Sequence, residues 1–200
     1  MKSLLYLFLA AFAGMAFRST ADPLPIGSPI PAAGVKMKDV SGKILSLHDV
    51  KTTQGLLVMF SCNTCPYVMK NQERTIQTGT YAGEKNIGFI VVNSNEGSRP
   101  GDESYKAMQA YARAQGYQWP YSVDSNNELA DAFGASRTPE VFLFDAKGRL
   151  VYRGAIDDSP ADPSKVTRQH LKMAMDEMLS GKAVSVTESR SVGCGIKRKV

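Results

Sequence analysis

The chain has 200 residues, 43% of them hydrophobic and 22% charged, with a formal net charge of +5. That balance suits one globular domain with a well-buried core and excludes a disordered or collagen-like chain. The basic bias is weak, and no basic stripe interleaved with aromatics marks a nucleic-acid surface.

Residues 1–21 read as a signal peptide. Lys2 supplies a short positive region, an apolar run from Leu4 to Phe17 follows, and Ser19-Thr20-Ala21 offers small residues for cleavage after Ala21. The run is short for a bilayer span, so an uncleaved anchor or a buried N-terminal helix is the weaker reading. Cleavage would remove Lys2 and Arg18 and no acid, taking the net charge to +3. The expected location is periplasmic or secreted, where disulfides persist.

Asp22 to Ala33 is rich in proline and small residues and reads as an extended lead-in. Val35–Met37 and Lys43–Leu45 flank the turn signal Ser41-Gly42, which predicts an N-terminal hairpin. Leu56 to Phe60 is continuously apolar, the pattern of a strand buried on both faces. A helix is expected from Pro66 to about Thr78, and a second buried strand from Ile87 to Val92. Ser94 to Gly101 reads as a loop. Asp102 can cap a helix whose inward face uses Met108, Tyr111 and Ala112 and which Gly116 ends. Ser125 to Glu128 has capping-box spacing for a short helix through Phe133. Val141–Phe144 and Leu150–Tyr152 predict a hairpin around Ala146-Lys147-Gly148. Asp162-Pro163 can open a helix lined by Leu171, Met175, Met178 and Leu179 and closed by Gly181. The domain should run from 22 to 190, with residues 191–200 as a tail that carries Cys194 and a solvated Lys197-Arg198-Lys199. This order predicts an α/β fold, a mixed central sheet flanked by helices.

Three cysteines are too few for a disulfide scaffold in a chain of this length. Cys62 and Cys65 instead form a C-x-x-C pair directly after a buried strand, where a helix is expected to start. A thiolate is the nucleophile of disulfide exchange, and a helix start favours it. Cys62, at the exposed end, would attack a substrate disulfide, and Cys65, one turn in, would resolve the mixed disulfide. A structural disulfide is the bland alternative. Zinc would need four ligands from Cys62, Cys65, Cys194, His48 and His170, with no second C-x-x-C, so no metal is expected. Pro66 after Cys65 excludes the usual c-type haem pattern. No cofactor is expected.

Phe60-Ser61-Cys62-Asn63-Thr64-Cys65-Pro66-Tyr67-Val68, with Arg137-Thr138-Pro139-Glu140-Val141-Phe142, resembles the thioredoxin superfamily. More narrowly the chain resembles the peroxiredoxin-like branch of the alkyl hydroperoxide reductase/thiol-specific antioxidant (redoxin) group. Tyr152 to Asp158 and Val192 to Lys197 carry the same likeness. The resemblance implies a thioredoxin-like fold, with Pro139 as a cis-proline facing the dithiol and Thr138 offering backbone hydrogen bonds to an extended substrate segment. Ser61 and Leu56 stand where thioredoxins resemble one another in a tryptophan and a buried aspartate. Proton transfer from Cys65 thus lacks its usual helper, and Glu140 is a candidate substitute. Gly55 and Met59 stand where peroxiredoxins carry a proline and a threonine before the reactive cysteine, so peroxidase chemistry is the weaker reading.

The expected function is thiol-disulfide exchange in an exported compartment. The alternatives are a thiol peroxidase and a non-catalytic or copper-delivery module. The expected partners are protein thiols or disulfides and a redox partner that supplies or accepts electrons. Nucleic acid is not expected, and a membrane enters only through the redox partner or an uncleaved signal. An odd cysteine in an exported chain leaves two readings for Cys194: a free thiol on a mobile tail, or a tail that folds back to pair with Cys62 or Cys65.

Overall fold

The structure is a computed structural model that describes residues 22–199. The expected signal peptide lies outside the described residues. Among the described residues nine strands form: β1 (Met37–Asp39), β2 (Ile44–Leu45), β3 (Leu56–Ser61), β4 (Gly88–Asn93), β5 (Tyr121–Val123), β6 (Arg137–Thr138), β7 (Glu140–Phe144), β8 (Leu150–Gly154) and β9 (Cys194–Gly195). The helices are α1 (Leu47–Val50), α2 (Pro66–Lys70), α3 (Gln72–Glu84), α4 (Tyr105–Ala114), α5 (Glu128–Phe133) and α6 (His170–Leu179).

Seven strands make one mixed sheet in the order β2-β1-β5-β4-β3-β7-β8. β3 and β4 run parallel, as do β4 and β5, while β7 is antiparallel to both β3 and β8. The hairpin β1–β2 joins this sheet through β5. A continuous apolar strand can only be central, because both of its faces must leave water. β3 obeys that rule. Leu57 and Met59 face one apolar cluster, with Met108, Leu171 and Met175 from the helices. Leu56, Val58 and Phe60 face the other, with Leu47, Leu129 and Phe133. Phe60, Phe133 and Phe142 meet edge to face with centroids 5.1–5.7 Å apart, which fixes the end of β3 that carries the dithiol.

Several elements differ from the sequence expectation, each for a local reason. The helix expected over 66–78 is broken at Asn71, whose side-chain amide donates to Tyr67 O and Pro160 O. Ser104, not Asp102, caps α4 by accepting the Ala107 N–H. At α5 the expected capping box gives way to Asp124, whose carboxylate accepts the N–H groups of Leu129 and Ala130. Asn126 and Asn127 turn left-handed in between. Asp162-Pro163 opens only one 3-10 turn, because Thr167 is drawn to the Asp158 carboxylate, and α6 starts at His170. The hairpin lies two residues further on in its first strand than the turn signal suggested.

One buried ion pair ties α3 to the segment after β8. Arg74 Nη1 lies 2.6 Å from Asp157 Oδ2, and both side chains are almost wholly enclosed. Removing one partner strands a buried charge. Asp157→Ala is expected to lower unfolding stability by about 3 kcal/mol, since Arg74 keeps its bonds to the Ser159, Lys70 and Pro160 carbonyls. Denaturant unfolding checks this, and a change below about 1 kcal/mol would contradict it.

Candidate active site

The dithiol sits where β3 ends and α2 begins. α2 starts at Pro66 with Cys65 as its capping residue, so the helix start faces Cys65 and not Cys62. Cys62 is not at an exposed end. It is 1% exposed and Cys65 3%, and the two pack together with Val68, bordered by Tyr67 and Cys194. Both thiols are free, as is that of Cys194.

Thr138 meets both sulfurs. Its hydroxyl lies 3.3 Å from Cys62 Sγ, and its carbonyl oxygen can accept from Cys65 Sγ at 3.2 Å. The Thr138–Pro139 peptide is cis. β6 and β7 flank this bond, and Glu140 pairs with Phe60 of β3, which is how the sheet carries Thr138 to the dithiol.

The residues between the cysteines are held by a carboxylate that sequence reasoning missed. Glu103 is fully buried just before α4. It accepts the N–H of Asn63 at 3.0 Å, the N–H of Thr64 at 3.2 Å and the Thr64 hydroxyl at 2.7 Å. It also accepts the Asn93 amide at 2.7 Å. The Tyr121 hydroxyl donates to Asn63 Oδ1 at 2.9 Å. The sequence holds no signal that separates Glu103 from its neighbour Asp102, because the choice depends on how the loop folds over β4.

Glu140, the candidate proton acceptor, has a different job. Its carboxylate accepts the N–H groups of Ser136 and Arg137 and the Ser191 hydroxyl. It braces the loop before β6 and the C-terminal segment. Leu56 is buried in the apolar cluster and offers no proton acceptor.

The C-terminal segment is not a loose tail, although Lys197 and Lys199 are exposed as expected. Ser189 bonds to Tyr152 and Ala155, Ile196 enters the apolar cluster, and its N–H donates to Ser136 O. Arg198 pairs with Asp131 and donates to Ala135 O, and the Lys197 N–H donates to Asn95 Oδ1. β9 pairs antiparallel with β6, Cys194 opposite Thr138. Gly193 passes so close that a β-carbon there would overlap the Thr138 carbonyl. The Cys194 N–H donates to Cys65 Sγ at 3.4 Å.

The first ionisation of the dithiol is favoured and the second opposed. The Cys65 thiol is lowered to about 4, chiefly by hydrogen bonding from the Cys62 thiol, aided by the Cys194 side chain and by the N–H groups of Val68 and Cys194. Cys62 is pushed up, first by giving that bond to Cys65 and then by burial. Cys194 is raised to about 11 by burial and by the Cys65 sulfur. Two thiols in contact share one proton, and its position decides which is the nucleophile. The Thr138 hydroxyl can donate to a Cys62 thiolate while the Cys65 thiol donates to the Thr138 carbonyl, so the same geometry supports a thiolate at either end. The lowered Cys65 thiol adds stability that is complete above the ordinary thiol value of 9.0 and lost as pH falls through about 4. Ultraviolet thiolate absorbance of the reduced protein should therefore rise near pH 4 and lose that step in Cys65→Ser. A first step near 9.0 would contradict it.

Residues 25–169 match the Redoxin family. The chain belongs to the Redoxin family. As a redoxin with a thioredoxin-like fold, it is a thiol-redox protein. This redoxin is 26% identical over 145 residues to the thiol-disulfide oxidoreductase ResA of Bacillus subtilis (strain 168), 72% of each chain. A hypothetical protein of Sinorhizobium meliloti 1021 is 32% identical with a TM-score of 0.81, covering 90% of this redoxin and 98% of that chain. An uncharacterised conserved protein of Geobacillus kaustophilus is 33% identical with a TM-score of 0.81, covering 88% and 93%.

Proposed function

We propose that this redoxin is a thiol-disulfide oxidoreductase that works through Cys62 and Cys65 on protein thiols and disulfides in an exported compartment. The observation that carries the reading is the dithiol at the end of β3 with both sulfurs on Thr138, beside the cis Thr138–Pro139 bond. The similarity to ResA supports the same class of reaction. Export rests on the composition of residues 1–21.

In the forward reaction the Cys62 proton passes to the Cys65 thiolate and Cys62 attacks a substrate disulfide, with the Thr138 hydroxyl placed to hold the Cys62 thiolate. A mixed disulfide forms, and one substrate sulfur leaves as a thiol. Cys65 then attacks Cys62, which releases the second substrate thiol and leaves a Cys62–Cys65 disulfide. A redox partner restores the dithiol. Thr138 and Pro139 form the rim on which an extended substrate strand would lie.

Thiol peroxidase activity ranks second. Met59 is buried in the apolar core, so its position supplies no donor to a peroxide. The test compares turnover of a protein disulfide with consumption of hydrogen peroxide under the same dithiol reductant. Disulfide turnover that depends on Cys62 is expected. Peroxide consumption that outpaces it would reverse the ranking.

A further inference from the structure

We propose that Cys194 is a third redox thiol, and that the dithiol's oxidising equivalent moves between a Cys62–Cys65 bond and a Cys65–Cys194 bond. This rests on the exchange reading above and extends it to a residue outside the C-x-x-C pair.

Three independent features place Cys194 there. β9 occupies the position of an added strand against β6, with Cys194 directly opposite Thr138. This is the rim expected to take an extended substrate segment, so the chain's own terminus sits as a substrate would. Gly193 permits the approach, since no larger residue fits against the Thr138 carbonyl. Finally, the backbone N–H of Cys194 points at Cys65 Sγ from 3.4 Å, and its side chain borders the pocket that holds both other sulfurs. Anchors on both sides of Cys194 keep it there: Ser189 on β8's flank, and Ile196, Lys197 and Arg198 beyond.

Cys65 is the shared sulfur. Its sulfur is hydrogen-bonded by the Cys62 thiol and by the Cys194 backbone N–H and side chain. In the step, the Cys194 thiolate attacks Cys65 of the Cys62–Cys65 disulfide. One S–S bond breaks and one forms, Cys62 leaves as a thiolate, and the proton lost by Cys194 goes to Cys62. The step consumes no oxidant or reductant. It has a mechanical consequence. A Cys65–Cys194 bond locks the terminal segment across the Thr138–Pro139 rim, whereas a Cys62–Cys65 bond leaves that segment held by hydrogen bonds that a substrate strand can replace.

The test oxidises wild type, Cys62→Ser, Cys65→Ser and Cys194→Ser with oxidised glutathione, quenches in acid and maps the disulfides by mass spectrometry. Wild type is expected to show both bonds. Cys62→Ser should close Cys65–Cys194, and Cys194→Ser should lose that bond completely while keeping Cys62–Cys65. A normal Cys62–Cys65 bond in wild type with Cys65 of Cys62→Ser left only as a glutathione mixed disulfide would overturn the relay and leave the exchange reading standing. Cys62–Cys194 as the main wild-type product would also overturn it, because Cys65 would not be the shared sulfur. Absence of Cys62–Cys65 in both wild type and Cys194→Ser overturns the relay together with the exchange reading. Near-native circular dichroism of each reduced variant shows that the outcome reports on sulfur chemistry and not on misfolding.

Discussion

Cys62→Ser is expected to abolish turnover of protein disulfides, and Cys65→Ser is expected to accumulate mixed disulfides with substrate. The two sulfurs are nearly equal in burial, so exposure does not distinguish them. Their neighbours do. Cys62 leaves β3 beside the Thr138 hydroxyl, which can hold the thiolate that starts the reaction. Cys65 caps α2 and contacts Cys62, which places it to resolve the intermediate. Serine is a poor nucleophile and cannot form an S–S bond, so loss at Cys62 should be complete within the assay. At Cys65 the first half-reaction survives and the second does not. Non-reducing electrophoresis of variants incubated with a protein disulfide separates these outcomes. Retained turnover in Cys62→Ser, or trapping in neither variant, would contradict the assignment.

Glu103→Ala should cost about 4 kcal/mol of stability, roughly 10 °C in Tm, because four donor groups around a buried site lose their acceptor. Those groups are the N–H of Asn63, the N–H and hydroxyl of Thr64, and the Asn93 amide. Glu103→Gln keeps one acceptor oxygen and should lose less. It should also show an effect that belongs to charge. The Glu103 carboxylate helps push the Cys62 thiol up. Neutralising it removes a like charge beside the singly ionised dithiol, which stabilises the reduced form and raises the reduction potential. Thermal unfolding gives the first effect and redox equilibration with glutathione the second. A Glu103→Gln potential that is unchanged or falls would contradict an electrostatic role, even if stability drops.

The sheet was legible where a strand is buried on both faces. Leu56 to Phe60 and Ile87 to Val92 advertise themselves as apolar runs, and β3 and β4 lie centrally within a residue or two of those bounds. β5 was missed because Tyr121-Ser122-Val123 is three residues long and owes its place to Asp39, whose carboxylate accepts the Tyr121 N–H. The dithiol was legible as a spacing, and Thr138 and Pro139 through family resemblance. Burial of Cys62 was not, because the cover comes from segments far along the chain. Glu103 is 41 residues past Cys62 in sequence yet binds its loop, and Cys194 reaches Cys65 only because β9 pairs with β6. In the Lys197-Arg198-Lys199 run the two lysines are exposed as composition suggests, but Arg198 has Asp131 and the Ala135 carbonyl as partners supplied by the fold. Contacts of this kind depend on topology, which local patterning does not encode.

The central claim is that Cys62 and Cys65 form a reversible redox couple. The most direct measurement equilibrates the reduced protein across glutathione buffers of stepped poise and follows the two thiols by alkylation and mass spectrometry. The account predicts a single two-electron transition in which Cys65 leaves the alkylated pool together with Cys62, or with Cys194 in the fraction that carries the Cys65–Cys194 bond, and all three return on reduction. Both thiols remaining alkylatable at every poise would contradict it.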